Sequence, residues 1–302
     1  DGKYSGDIGT PDKKGSLSIR GPLISKDDEL FFPAPLDLVL LENKLIPLTL
    51  TQKPPTFISD YPLSYILLHK SEKHTKEPEG WFTEIEFLDY LKNQSTEYVF
   101  LKDKDLFLYE PKIGIAREKS TLTTKEGHLY RIPMIRVKEG CSLVVDVEGV
   151  NEMPTSGLIQ LGGESKGALI EETDNKFEKL ENIEFDIKDK LFKIYLATPA
   201  IFEKGWLPKW ISEDSLEGEF NKIKLKLICC ALGRYIPIGG WDIVEKRAKL
   251  LQRGVQAGSV YYFEILDNSN SKEIKEAFHL KNISDINPEE GFGLSIVGEV
   301  KL

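Results

Sequence analysis

Very little in this chain invites covalent or metal chemistry. Of 302 residues only three are cysteine, four histidine and two methionine. Two of the cysteines, Cys229 and Cys230, are adjacent, so a disulfide scaffold is excluded and a reducing compartment is expected. No histidine stands at metal-ligand spacing from a Cys, Asp or Glu partner. No run approaches eighteen uncharged apolar residues, since the richest stretch, 36–50, is broken by Asp37, Glu42 and Lys44. There is no signal peptide and no initiating Met, so an absent or processed start and a soluble, cytoplasmic protein are expected. Arginine is scarce as well, seven of the 40 basic residues.

What is present is ordinary globular material, 40% hydrophobic and 29% charged, which excludes wholesale disorder and fibrous repeats. The formal net charge of −9 argues against a simple electropositive sleeve for nucleic acid. The arginines are nonetheless clustered. Arg117, Arg131 and Arg136 lie within 111–138, a window of local charge +5. Arg234, Arg247 and Arg253 lie within 222–253, a window of +6 that also holds Lys249, and the remainder of the chain carries −20. Screening confines each patch to about 8 Å at physiological salt, so a phosphate backbone can be held locally by a chain that repels it elsewhere. A Lys/Glu-rich surface with arginines clustered by chance is the competing reading.

The pattern along the chain is mixed α+β. Segment 1–26 reads as loop with a short strand at 16–20, and 36–41 as a buried strand framed by Pro33 and Pro35. Thr83 and Glu86 have capping-box spacing ahead of Phe87, Leu88 and Leu91, which predicts a helix over 83–93. Strand signals follow from Lys112, through Ile113, Ile115, Leu129, Ile132 and Ile135, to 143–147. The run 171–190, dense in acids and lysines, reads as a surface linker. Beyond it come a strand at 191–197, a long crossover at 198–220, and a strand at 222–231 with lysines and apolar residues in strict alternation. A strand at 259–265, a helix capped by Asn270 and Glu273, and a final strand at 292–300 complete the series. Strand, crossover, strand, strand, helix, strand is the ferredoxin-like order. Glycine-rich turns close both halves, at 161–167 and at 291–298, so two related folds in tandem are expected.

The chemistry on offer is binding chemistry. Gly162, Gly163, Ser165 and Lys166 could bring backbone N–H groups close to a phosphate, but the Gly-x-x-x-x-Gly-Lys-Ser/Thr pattern of an NTP site is absent. The segment Arg234-Tyr-Ile-Pro-Ile-Gly-Gly-Trp-Asp242 combines a guanidinium, two aromatics for base stacking and two permissive glycines, a mixture suited to single-stranded RNA. A structural loop with Trp241 filling a core gap reads the same residues equally well. His128, near Tyr130 and Arg131, offers a ribonuclease-like acid/base or simply a polar strand-edge histidine.

Seven segments in the same order carry a resemblance. Phe32-Pro-Ala-Pro-Leu-Asp-Leu-Val39, Thr123-Thr-Lys-Glu-Gly-His-Leu-Tyr130, 161–168, 198–208, 233–242, Ala257-Gly-Ser-Val-Tyr-Tyr-Phe263 and 291–298 together resemble the third-subunit family of the Cmr complex. That complex is the type III-B CRISPR RNA-guided effector of antiviral defence, and the family belongs to the RAMP superfamily. The resemblance covers the chain from about Ile8 to its end. It implies two tandem ferredoxin-like (RRM-like) domains with insertions, 1–182 and 183–302, the first lacking its opening strand and helix. It implies a non-catalytic scaffold that needs no cofactor or metal. Such a subunit pairs with the large polymerase/cyclase-like subunit, neighbours other RAMP backbone subunits and holds the 5′ tag of the CRISPR RNA. The superfamily's glycine-rich loops fall on Gly162 and Gly163 and on Gly291, Gly293 and Gly298. Arg234, Gly239, Gly240 and Trp241 fall on the Gly-Arg…Gly-Gly-Trp-Asp motif. Relatives often carry two arginines where Ser165 and Lys166 stand, which weakens the expected bidentate phosphate grip. Weak, salt-sensitive RNA binding by the lone chain and tight binding in an assembly are expected. A RAMP-type endoribonuclease using His128 or Tyr130, and a protein-interaction module that never touches nucleic acid, are the alternatives.

Overall fold

A computed structural model describes residues 5–10, 13–69, 73–121, 123–150, 152–162, 166–242 and 245–301. The first half is built on β1 (Ser18–Lys26), β2 (Glu29–Pro33), β3 (Trp81–Thr83), α1 (Glu84–Leu91), β4 (Phe107–Arg117), β5 (Thr124–Val137) and β6 (Cys141–Glu148). It closes with β7 (Ser156–Leu161) and β8 (Lys166–Glu171). Strands β6, β1, β2 and β3 form one antiparallel sheet in that order. The turn between β1 and β2 places Asp27 and Asp28 at φ of 49° and 69°, the left-handed pair a tight hairpin demands. Reading 1–26 mainly as loop is therefore corrected. Gly21 and Pro22 interrupt the strand signal, yet the register shifts opposite them, between Val144 and Asp146, and a proline with no N–H is accommodated at such a bulge.

Helix α1 follows its sequence signal. The Thr83 hydroxyl accepts the N–H of Glu86, and the helix buries Phe87, Tyr90 and Leu91. Phe87 stacks on Phe32 with ring centroids 4.0 Å apart. Strands β4 and β5, and separately β7 and β8, pair only with each other among the described residues, so two hairpins extend the first half.

The second half carries β9 (Leu191–Leu196), β10 (Glu217–Phe220), β11 (Ile223–Ala231), β12 (Ile236–Ile238), β13 (Gln252–Gly254) and β14 (Val260–Ile265). Helix α2 (Ser271–Phe278), β15 (Lys281–Asn282) and β16 (Leu294–Glu299) complete it. Its six-stranded sheet runs β10-β11-β14-β9-β16-β15, every pair antiparallel. The four long strands thus lie in the order second, third, first, fourth. Asn270 and Glu273 form the reciprocal capping box of α2. The crossover from β9 to β10 contains no helix: Pro199, Gly205 and Pro208 break it into turns pinned by short bridges.

The stretch 171–190 is not a solvated linker, which corrects the sequence expectation. A four-residue helix, Glu178–Glu181, presses Leu180 inward, and Phe177 and Phe185 are buried beside it. Lys179 pairs with the buried Glu84, and Arg20 bonds Asp146 and reaches Glu181 at 3.3 Å. Burial of these three apolar side chains repays the ordering of a charged segment. One continuous core then joins the halves, with Leu23, Phe32 and Phe87 of the first in the same cluster as Phe192, Tyr195 and Phe263 of the second.

Candidate nucleic-acid interface

The first basic window lies on the β4–β5 hairpin. Alternation places Tyr109, Ile113, Ile115, Leu129, Arg131 and Ile135 on one face, all exposed, with Arg131 directly across from Ile113. On the other face Arg136 reaches Glu110 at 2.7 Å, so part of its charge is spent within the hairpin. Arg117 sits at the far end, opposite Thr124. His128 and Tyr130 share the second face, and Tyr130 lies over Gly114, where a Cβ would stand 2.2 Å from its ring. An apolar ribbon this exposed, strung with cations, is a surface made to be covered.

The glycine-rich turn of the β7–β8 hairpin comes beside it. Gly162 has φ +75°, and Lys166 stands across from Leu161. Gly162 and Lys166 line a cleft of about 500 Å³ together with Ile132, Met134 and Ala168, so this turn and the first basic hairpin share one surface. Gly163 and Ser165 lie outside the described residues.

The second basic window divides. Lys224 and Lys226 belong to the six-stranded sheet, whereas Lys222, expected within the strand, stands in the turn before it at φ 70°, and Lys226 pairs with Glu217 at 3.5 Å. The arginines belong to an arm, 232–254, held by β12 and β13. There the Arg253 guanidinium lies 5.0 Å from the centroid of the Tyr235 ring, a cation–π contact that leaves both side chains exposed. Gly239 lets Leu251 approach, since a Cβ would stand 2.7 Å from it, and the Gly240 carbonyl accepts the Lys249 N–H. Trp241 is 62% exposed, so it does not fill a core gap, and Arg234, Leu250 and Leu251 are exposed with it. Guanidinium, two aromatic faces and apolar tips on one arm suit unpaired bases and their phosphates.

The remaining glycines stand elsewhere. A Cβ on Gly291 (φ +86°) would meet the Gly21 carbonyl oxygen at 2.1 Å, and one on Gly293 would meet the Ser284 nitrogen at 2.6 Å. Gly298 is buried in β16 beside the Lys193 side chain. All three serve close backbone or side-chain packing, and the structure brings them together with neither the basic β4–β5 hairpin nor the arm.

A buried polar cluster at the join of the halves carries no signal in the basic windows. The Asp37 carboxylate accepts from Tyr262 Oη at 2.6 Å, Tyr90 Oη at 2.8 Å and Lys193 Nζ at 3.2 Å. The Lys193 ammonium also sits 3.5 Å from the Tyr90 ring centroid. Burial pushes the Lys193 ammonium below its ordinary range, and Asp37 pulls back against it. Burial and the neighbouring carboxylate push both phenols well up, so they act as donors. The only clue in the sequence is an aspartate ending Pro-Ala-Pro-Leu, framed by apolar residues. Among the described residues no three His, Cys, Asp or Glu side chains gather as metal ligands.

Set against known proteins, residues 3–300 match the family CRISPR-associated protein (Cas_Cmr3). CRISPR system CMR subunit Cmr3 of Saccharolobus solfataricus is 24% identical over 185 residues, 59% of this chain and 53% of that protein, so the chain spans about half the length of this relative. A chain in the cryo-EM structure of the Type III-B Cmr-beta bound to cognate target RNA aligns with TM-score 0.45 at 17% identity, over 82% of this chain and 65% of that one. A chain of the Csm3-Csm4 subcomplex of the type III-A CRISPR-Cas interference complex aligns with TM-score 0.31 at 14% identity, over 85% and 80%.

Proposed function

The chain belongs to the CRISPR-associated Cas_Cmr3 family, and from that premise we propose that it is a non-catalytic RNA-binding subunit of a type III-B effector complex. In this reading it holds the 5′ tag of the CRISPR RNA while it pairs with the large polymerase/cyclase-like subunit and adjoins RAMP backbone subunits. The second half supports a ferredoxin-like (RRM-like) domain, since its long strands adopt the order 4-1-3-2 with a capped helix before the last. The first half is read as its incomplete counterpart. The observation that carries the RNA reading is the arm 232–254, where Arg234, Tyr235, Trp241 and Arg253 are all exposed and the Arg253 guanidinium covers a ring. Net negative charge elsewhere fits a chain that grips RNA between partners, with acidic flanks free to pair with basic partner surfaces.

Co-expression with candidate effector subunits, followed by sequencing of the co-purifying RNA, tests this. Arg234→Glu with Arg253→Glu should lower retained CRISPR RNA about tenfold while partner subunits still co-purify. Undiminished RNA in the double variant would remove the arm from the interface. The assembly should leave repeat RNA intact in the absence of metal, and cleavage abolished by His128→Ala would establish an enzyme instead.

A further inference from the structure

The arm 232–254 rises from the sheet between β11 and β14, and what holds its base is not confined to the second half. It returns through the turn 255–259, which is tied on three sides. Val255 exchanges backbone hydrogen bonds with Ala200, and the Gly258 N–H donates to the Leu196 carbonyl. The third tie crosses to the first half, where the Leu36 N–H donates to the Gly258 carbonyl at 2.9 Å. Gly258 has φ +89°, and a Cβ there would lie 2.8 Å from the Ala34 carbonyl oxygen, so the Pro33–Leu36 backbone lies directly against the turn.

That backbone is itself anchored. Tyr195 Oη donates to the Pro33 carbonyl at 2.7 Å, and the Ala34 N–H donates to the Gly80 carbonyl. One residue beyond Leu36, Asp37 holds Tyr262 and Lys193. Tyr262 is on β14, opposite Cys229 of β11, and the pairing ends at Ala231 and Val260, the two strand positions from which the arm departs and to which it returns. The carboxylate therefore fixes both the segment that clamps the returning turn and the strand that follows it.

We propose that Asp37 is a positioning residue for the 232–254 arm, setting its angle by joining Tyr262 and Lys193 of the second half to the Pro33–Leu36 clamp on Gly258. The consequence for RNA rests on the reading of the arm given above; the consequence for the arm itself does not.

Hydrogen exchange on the full chain measures the second directly. In Asp37→Asn, which keeps the side-chain shape, peptides covering 232–259 should exchange about tenfold faster, while helix α2, which takes no part in the cluster, keeps its protection. Gly258→Ala should loosen the same peptides with the buried cluster intact, and Tyr262→Phe carries the measurement if Asp37→Asn does not fold. Unchanged exchange over 232–259 in these variants would overturn the proposal, and so would an equal loss of protection across the whole chain. A fluorescein-labelled single-stranded RNA supplies the second readout. Weaker binding by the loosened variants supports both readings. A loosened arm with unaltered RNA binding leaves Asp37 as the positioning residue and removes RNA as the arm's ligand.

Discussion

At the scale of single residues the Asp37–Lys193 pair dominates. Both side chains are almost fully buried, and each charge is tolerated because the other is present, with two phenols and a ring completing the shell. Asp37→Ala leaves a buried ammonium with no carboxylate and should cost about 3–5 kcal/mol in urea unfolding. Lys193→Met alone should cost less, because Tyr90 and Tyr262 continue to donate to the carboxylate. The combined Asp37→Leu and Lys193→Met variant should lose markedly less than the sum of the two, since the desolvated charges go together. Strict additivity would show that the pair does not interact. Gly298 belongs to the same site, because a Cβ there would stand 3.0 Å from Lys193 Cε. A glycine that reads in the sequence as part of a phosphate-binding turn thus makes room for a lysine stem.

At the scale of elements, His279 ties α2 to the connecting segment. Its Nε2 lies 2.8 Å from the Leu180 carbonyl oxygen and its Nδ1 accepts the Val297 N–H, which requires a neutral ring. Burial pushes the imidazole down to about 4, against an ordinary value of 6.5. The unfolded chain therefore binds a proton that the folded chain refuses between those two values. Stability is complete above pH 6.5 and falls as the pH drops toward 4, by about 3 kcal/mol in all. His279→Gln should flatten this acid dependence of the urea midpoint. An equal slope in the variant would place the titration elsewhere. The element also shows what the sequence conceals. Helix α2, strand β11 and the succession of strand, crossover, strand, strand, helix and strand are legible because capping and alternation are local signals, whereas the order in which the strands pair is not local. The docked connector is not legible, because Phe177, Leu180 and Phe185 are diluted among charges and their burial depends on partners about one hundred residues away. Strand β1 is concealed for a different reason, a Gly-Pro pair that the strand accommodates as a bulge of its own, two residues set against Val145 of its neighbour. The basic hairpin and the arm are legible as basic windows, but a local charge count cannot separate Lys224 and Lys226 on the sheet from the arginines beyond it.

At the scale of the whole molecule, division into 1–182 and 183–302 describes the chain's sequence order better than its packing. Phe87 meets Tyr195 with ring centroids 4.8 Å apart, Lys92 reaches Glu299, and Asn282 donates to the Ile19 carbonyl, besides the Asp37 cluster. Cutting at 182 would expose Tyr195 and strand Lys193 without its carboxylate in the C-terminal piece. It would leave Asp37 buried beside no cation in the other. Hydrophobic burial and polar satisfaction thus fail at the same surface, and neither deficit can be met within one half. The full chain should therefore unfold in a single cooperative transition, while 183–302 expressed alone should lack one and should lose protection first along β9 and β16. A cooperative melt of the isolated piece would show two independent domains that merely touch. In that case the clamp on Gly258 could not pass the first half's position to the arm.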